Sequence, residues 1–180
     1  WKMHKTVSEA IELAEDIVME TNGTLNEVVV FPPFTALESV ADAIDGKHVG
    51  YGAQDLHWED AGAYTGAVSG AMIADICAEY VLVGHSERRA LFGDNEAVVA
   101  KKMVAAYRNG LKPMLCVGEN LEEREAGKTA RKIAMQLRNA LRVITAEQAE
   151  SLVVAYEPVW AIGSGKAATA EDAQVVCRLI

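Results

Sequence analysis

Helical and extended patterns alternate along this chain from one end to the other, and no two extended runs are joined by a hairpin signal. Strands that follow one another only through helices run parallel, so the pattern predicts an α/β fold built on a parallel sheet. The extended runs fall at 28–31, 49–53, 80–83, 112–117 and 152–156. Two of them, Tyr-Val-Leu-Val at 80–83 and Leu-Val-Val-Ala-Tyr at 152–156, are unbroken apolar stretches, as expected of strands covered on both faces. Between the runs, Thr6-Val7-Ser8-Glu9 reads as a capping box, followed by Val7, Ile11, Ala14 and Val18 at helical spacing and a stop near Asn22-Gly23. Thr35-Ala36-Leu37-Glu38 predicts the cap of a second helix running to about Ile44. Further helices are expected through Met72, Ile73 and Ile76, over 96–108, over 122–143 with a break at Gly127, and from about Ala170.

The 180 residues, 51% apolar and 24% charged, suit a single domain over 1–180. A net charge of −9 argues against nucleic acid, which demands clustered Lys and Arg. An anionic substrate would have to be held by single cations and local backbone dipoles. Cys77, Cys116 and Cys177 are odd in number and far apart, without zinc or redox spacing, which points to a reduced, cytoplasmic setting. No apolar run approaches membrane-spanning length, so no membrane partner is expected. The chain opens on Trp1 and stops within a helical pattern, the expectation for an internal piece of a longer protein.

Chemistry concentrates where strands end. The run at 152–156 delivers Glu157, followed by a stiff Pro158-Val159-Trp160 segment and a flexible Gly163-Ser164-Gly165 segment. In parallel α/β folds, reactive groups sit just beyond the carboxyl ends of strands, although a lone acid there is equally a solvated side chain. Gly84-His85-Ser86-Glu87 places an imidazole where a strand passes into a helix, near backbone N–H groups whose field disfavours imidazolium. A helix-capping histidine and a neutral hydrogen-bond donor to a substrate carbonyl are balanced readings of His85. Lys2 reads alone as a surface lysine, and Cys116, after an apolar run, as a buried inert thiol. Gly163-Ser164-Gly165-Lys166-Ala167-Ala168 matches the letters of a dinucleotide turn but lies too far past its strand. A P-loop fails because Trp160 and Ala167 occupy required positions. No candidate metal cluster is present in the sequence.

Trp1-Lys2-Met3-His4-Lys5, Gly62-Ala63-Tyr64-Thr65-Gly66, Val83-Gly84-His85-Ser86-Glu87-Arg88-Arg89, Cys116-Val117-Gly118-Glu119 and 155–166 together resemble the triosephosphate isomerase family, in its order and spacing along the whole chain. The resemblance implies a (β/α)8 TIM barrel, incomplete here, with about strands 2–6 plus the loop after strand 1. It implies interconversion of dihydroxyacetone phosphate and glyceraldehyde 3-phosphate with no cofactor and no metal. Glu157 would be the base, His85 the neutral electrophile, and Lys2 the positive charge for enediolate and phosphate. Ser86, Glu87 and Cys116 would support them, Glu87 by pairing with Lys2. The segment Pro158, Val159, Trp160, Ala161, Ile162, Gly163, Ser164, Gly165 and Lys166 would be a lid, Gly163 offering an N–H to the phosphate. A glutamate base, a neutral histidine and a closing loop are familiar features of this enzyme class, and they come to this chain through the resemblance alone.

Tyr64 and Thr65, at the tip of the long loop 54–66, would make a homodimer contact. The resemblance also places strands seven and eight, with their phosphate loops, beyond Ile180, so the 180-residue piece alone is expected to be unstable and inactive. A different phosphate-binding barrel, such as an aldolase or epimerase, would need a Schiff-base lysine or metal ligands where this chain has His85, Glu119 and Glu157. A non-catalytic scaffold would leave Lys2, His85 and Glu157 free to differ from the family, and none does.

Overall fold

The computed structural model describes all 180 residues as nine α-helices, five β-strands and one 3-10 turn in the predicted alternating order. By contact density the chain divides into two compact units, Trp1–Leu82 with Ala105–Pro113, and Val83–Val104 with Met114–Ile180.

The first unit carries α1 (Val7–Glu20), β1 (Val28–Val30), α2 (Phe34–Ala43), β2 (Val49–Ala53), α3 (Gly70–Asp75) and most of β3 (Tyr80–Val83). The capping box forms as read: Glu9 Oε2 accepts the Thr6 N–H at 2.8 Å. Ala10 and Ala14 then face inward and pack with Val30, Ala36, Val40, Ile44 and Val49 into one apolar cluster. Small residues on α1 let the helix approach closely. The second helix departs from expectation at its start. Pro33, at φ −57°, is the N-cap residue, and the helix begins at Phe34, so Thr35 lies inside the first turn instead of capping it. Pro33's carbonyl takes the first helical bond, from Ala36 N–H at 2.9 Å, and no side chain caps the helix. β1 pairs with β2 and β2 with β3, both parallel. Leu37, Leu56 and Ile73 are fully buried, each worth about 1.5–3 kcal/mol on removal from water.

The long loop is ordered by its own aromatics. His57 stacks on Trp58 and against Tyr64, each at 4.2 Å between ring centres, and Asp60 accepts from Arg108 and Asn109 at 2.9 Å. Tyr64 remains 44% exposed, an apolar ring presented outward.

The second unit contains α4 (Ser86–Leu91), most of α5 (Glu96–Arg108) and of β4 (Lys112–Val117), then α6 (Leu121–Glu125), α7 (Thr129–Leu141), α8 (Ala146–Glu150), β5 (Val153–Tyr156), the 3-10 turn Val159–Ala161 and α9 (Ala170–Cys177). β4 and β5 are parallel, with Cys116 opposite Ala155 and Val117 opposite Tyr156. The predicted break near Gly127 separates α6 from α7. A buried cluster of charge, Lys102 Nζ to Asp94 Oδ2 at 2.6 Å and Arg88 Nε to the same oxygen at 3.1 Å, fixes the turn between α4 and α5.

Candidate active site

Parallel pairing of β4 and β5 continues one step past β5, because Glu157 N–H donates to the Val117 carbonyl at 2.8 Å. That bond fixes the backbone from which the Glu157 side chain projects. It also brings the two chains so close that a Cβ on Gly118 would lie 2.0 Å from the Glu157 carbonyl oxygen. Only glycine fits there. Gly118 N–H is held in turn by the buried Gln136 Oε1 at 3.0 Å.

His85 caps α4. Its Nδ1 accepts the Glu87 N–H at 3.2 Å, one of the donors that the start of a helix leaves without a partner. The turn before it is anchored by Arg89, whose Nε donates to the Gly84 carbonyl at 2.6 Å while Nη1 pairs with Glu96 at 2.6 Å. With Nδ1 accepting the backbone N–H, Nε2 is the ring nitrogen left to donate. Nε2 lies 3.1 Å from Glu157 Oε2. Glu87 Oε2 is 4.0 Å from Nδ1, beyond hydrogen-bond distance. The capping and electrophile readings of His85 are therefore compatible, since the cap is what leaves Nε2–H as a donor.

Ser86 completes the arrangement. Its N–H donates to Glu157 Oε1 at 3.0 Å and its hydroxyl to Oε2 at 2.7 Å. The carboxylate thus receives three donors from a single helix start, with only 15% of its side chain exposed. Cys116 is buried close by; burial first, and the Glu157 charge second, push its thiol far above the ordinary range. Both causes favour the protonated thiol over the thiolate. A cavity of about 270 Å³ adjoins these groups, lined among others by Ser86, Arg89, Cys116, Gly118, Gln136 and Glu157.

Past Glu157, the 3-10 turn buries Trp160, and the chain then runs exposed from Ile162 to Ala167. Gly163 and Gly165 take φ +68° and +72°, the left-handed region that glycine adopts without strain. Ser164 Oγ donates locally to the Ala161 carbonyl at 3.2 Å, and Lys166 Nζ reaches back to Glu125 at the end of α6, at 3.6 Å. Lys2 belongs to the first unit, where Gln54 Nε2 donates to its backbone carbonyl at 2.8 Å. The structure brings His85, Ser86, Cys116 and Glu157 together in the second unit.

Sequence reasoning passed over the donor role of Ser86, the anchoring by Arg89 and the close approach at Gly118. Arg89 had the only available signal, an arginine one helical turn after the histidine.

A carboxylate and an imidazole facing each other at the carboxyl ends of parallel strands form an arrangement capable of acid–base chemistry. Comparison with known proteins gives this class its family. The family model for triosephosphate isomerase matches residues 1–180. The triosephosphate isomerase of Moorella thermoacetica is 53% identical over 180 residues, covering 100% of this chain and 72% of that protein. Those of Acetivibrio thermocellus and Carboxydothermus hydrogenoformans are 47% and 49% identical, again covering all of this chain and 72% of each relative. The chain belongs to the triosephosphate isomerase family. Its α/β fold is an incomplete (β/α)8 barrel, and the family's reaction is the isomerisation of a phosphorylated triose.

Proposed function

We propose that Glu157 is the base that carries the proton between the two carbons of dihydroxyacetone phosphate and glyceraldehyde 3-phosphate, with His85 as the neutral hydrogen-bond donor to the carbonyl oxygens. The observation that carries this reading is the His85 Nε2 to Glu157 Oε2 contact of 3.1 Å with Nδ1 occupied by a backbone N–H. A carbon acid beside a carbonyl is too weak for a carboxylate to deprotonate in water. The enediolate oxygen must gain a donor as charge develops on it. Nε2–H is such a donor, and when substrate enters it exchanges the Glu157 oxygen for the substrate's.

The observed carboxylate is parked. Three donors occupy its oxygens, so Glu157 must leave Ser86 before it can accept a carbon-bound proton. Closure of the lid 158–166 over the phosphate supplies that change, expelling water and strengthening the remaining electrostatic interactions. Gly163 lends its N–H to the phosphate, and Lys2 keeps the role implied by the family, fixed positive charge for enediolate and phosphate. Neither metal nor cofactor takes part.

Turnover in heavy water tests the proton-transfer chemistry. A base that releases its proton to solvent during the enediolate's lifetime should deposit deuterium on the carbon beside the carbonyl. Product free of deuterium would leave either return of the same proton by a shielded base or direct hydride migration, and undiminished turnover by Glu157→Gln would then remove Glu157 from this role.

The loop carrying Tyr64 and Thr65 is assigned to contact between two copies of the chain. Its support is the outward-facing Tyr64 on a rigid aromatic stack. Sedimentation should give a dimer mass, and a monomer would refute the assignment. Three free cysteines and the family's place in carbohydrate metabolism support a cytoplasmic setting, and no helix is long and apolar enough to cross a membrane.

A further inference from the structure

One arginine outside the proton-transfer site touches both ends of the lid. Arg124 closes α6, and its guanidinium makes three contacts at once. Nη1 donates to the fully buried Glu119 Oε1 at 3.2 Å, Nη2 donates to Asp172 Oδ1, and the planar face lies 4.1 Å from the centre of the Trp160 ring. Trp160 is where the chain enters the lid, and Asp172 is in the first turn of α9, where the chain leaves it.

The supporting network is dense. Glu119, just past β4, also accepts from Tyr156 Oη at 3.1 Å and Thr129 Oγ1 at 3.3 Å. The Trp160 backbone N–H donates to the Glu119 carbonyl at 3.1 Å, and its indole N–H to Tyr156 Oη at 3.4 Å. A rigid floor therefore lies under the lid's first turn. The far end meets this floor through Asp172, with the exposed Lys166 Nζ also 3.6 Å from Glu125 on α6. Its Oδ2 closes the α9 capping box by accepting the Thr169 N–H at 2.9 Å, and its Oδ1 faces Arg124. One oxygen serves the helix and the other the arginine.

We propose that the Arg124–Asp172 pair is a clamp that fixes the lid's trailing hinge to the same floor as its leading hinge, and so sets how readily the enzyme captures the phosphate of its substrate. Arg124 and Asp172 are positioning residues. A flap held at both ends has only its exposed glycine-rich tip to order on closure. With the trailing end released, closure must also order residues 167–172, and that ordering cost appears as weaker binding. Only a planar, forked cation can satisfy two carboxylates and cover an indole at once, which lysine cannot do. The proposal rests on the lid reading above, and its test separates the two.

Asp172→Asn keeps an oxygen for the capping box but removes the charge facing Arg124, whereas Asp172→Glu keeps the charge. Asp172→Asn should raise KM for dihydroxyacetone phosphate, and the inhibition constant of inorganic phosphate, by about threefold to tenfold with kcat nearly unchanged. Asp172→Glu should stay near the parent enzyme. Arg124→Met, which also takes the partner from Glu119 and Trp160, should raise KM at least as far, and adding Asp172→Asn to it should raise KM no further. Trypsin cleavage after the exposed Lys166 reports on the lid itself. In the parent enzyme, saturating inorganic phosphate should slow that cleavage, and absence of protection would refute the lid and the clamp together. Protection in the parent enzyme, with Asp172→Asn equally protected and KM unchanged, would overturn the clamp alone. So would a lowered melting temperature with both kinetic constants intact, because that is what a purely structural ion pair would give.

Discussion

In the full-length protein, Glu157→Asp should lower kcat by about 100-fold or more while leaving KM within a few-fold of the parent value. The substitution keeps the charge and the acid but withdraws the carboxylate by one methylene, which moves the basic oxygen by more than an ångström. Proton transfer from carbon tolerates little of this, because reacting atoms must come to about 3–3.5 Å in line. A loss of 100-fold corresponds to about 2.7 kcal/mol of transition-state stabilisation. KM is spared because Glu157 holds the reacting carbon and makes no contact assigned to the phosphate. The fold is spared as well, since the backbone bond from Glu157 N–H to the Val117 carbonyl does not involve the side chain. A kcat within twofold or threefold of the parent would show that Glu157 is a spectator held by Ser86.

The parked state bears on the same experiment. In the parent chain, Ser86 supplies two of the three hydrogen bonds to the carboxylate, spanning 71 residues of sequence. A shorter side chain stretches them. Aspartate thus weakens both the resting position and the working one, and the kinetic loss reports only the second, since kcat is measured from the bound complex.

Strands and helices were legible where one local signal decided them. The apolar run before Glu157 marked β5, and Thr6 with Glu9 marked the start of α1, because strand burial and helix capping are written in neighbouring residues. Pro33 shows the limit. The hydroxyl of Thr35 offered a familiar cap, but the proline two residues earlier had already fixed the backbone angle that begins the helix. The family resemblance named Glu157 and His85 with Ser86 beside them, and the fold sets Glu157 and His85 3.1 Å apart, but the contacts that hold them are written far along the chain. Gly118 is a glycine because of a carbonyl 39 residues further on, and Ser86 matters because of a carboxylate 71 residues away. Arg124 and Asp172, 48 residues apart, read singly as ordinary surface charges. Such pairings are set by which strand ends the fold brings together, and no local spacing announces them.

His85 carries the central claim, because it has two separable duties. Its Nδ1 caps α4 and its Nε2–H is the donor offered to the substrate oxygen. His85→Asn separates them. Asparagine is among the preferred N-cap residues, so its side-chain oxygen can still accept the Glu87 N–H, and stability should change by no more than about 1 kcal/mol. Its shorter side chain cannot reach where Nε2 now stands, 3.1 Å from Glu157 Oε2. The measurement is kcat for isomerisation in His85→Asn alongside its melting temperature. A fall in kcat of about 100-fold to 1,000-fold with the melting temperature nearly held is the predicted result, the size of effect expected on losing one donor to a developing oxyanion. An unchanged kcat in a stably folded His85→Asn enzyme would contradict the account, leaving His85 a helix cap and nothing more.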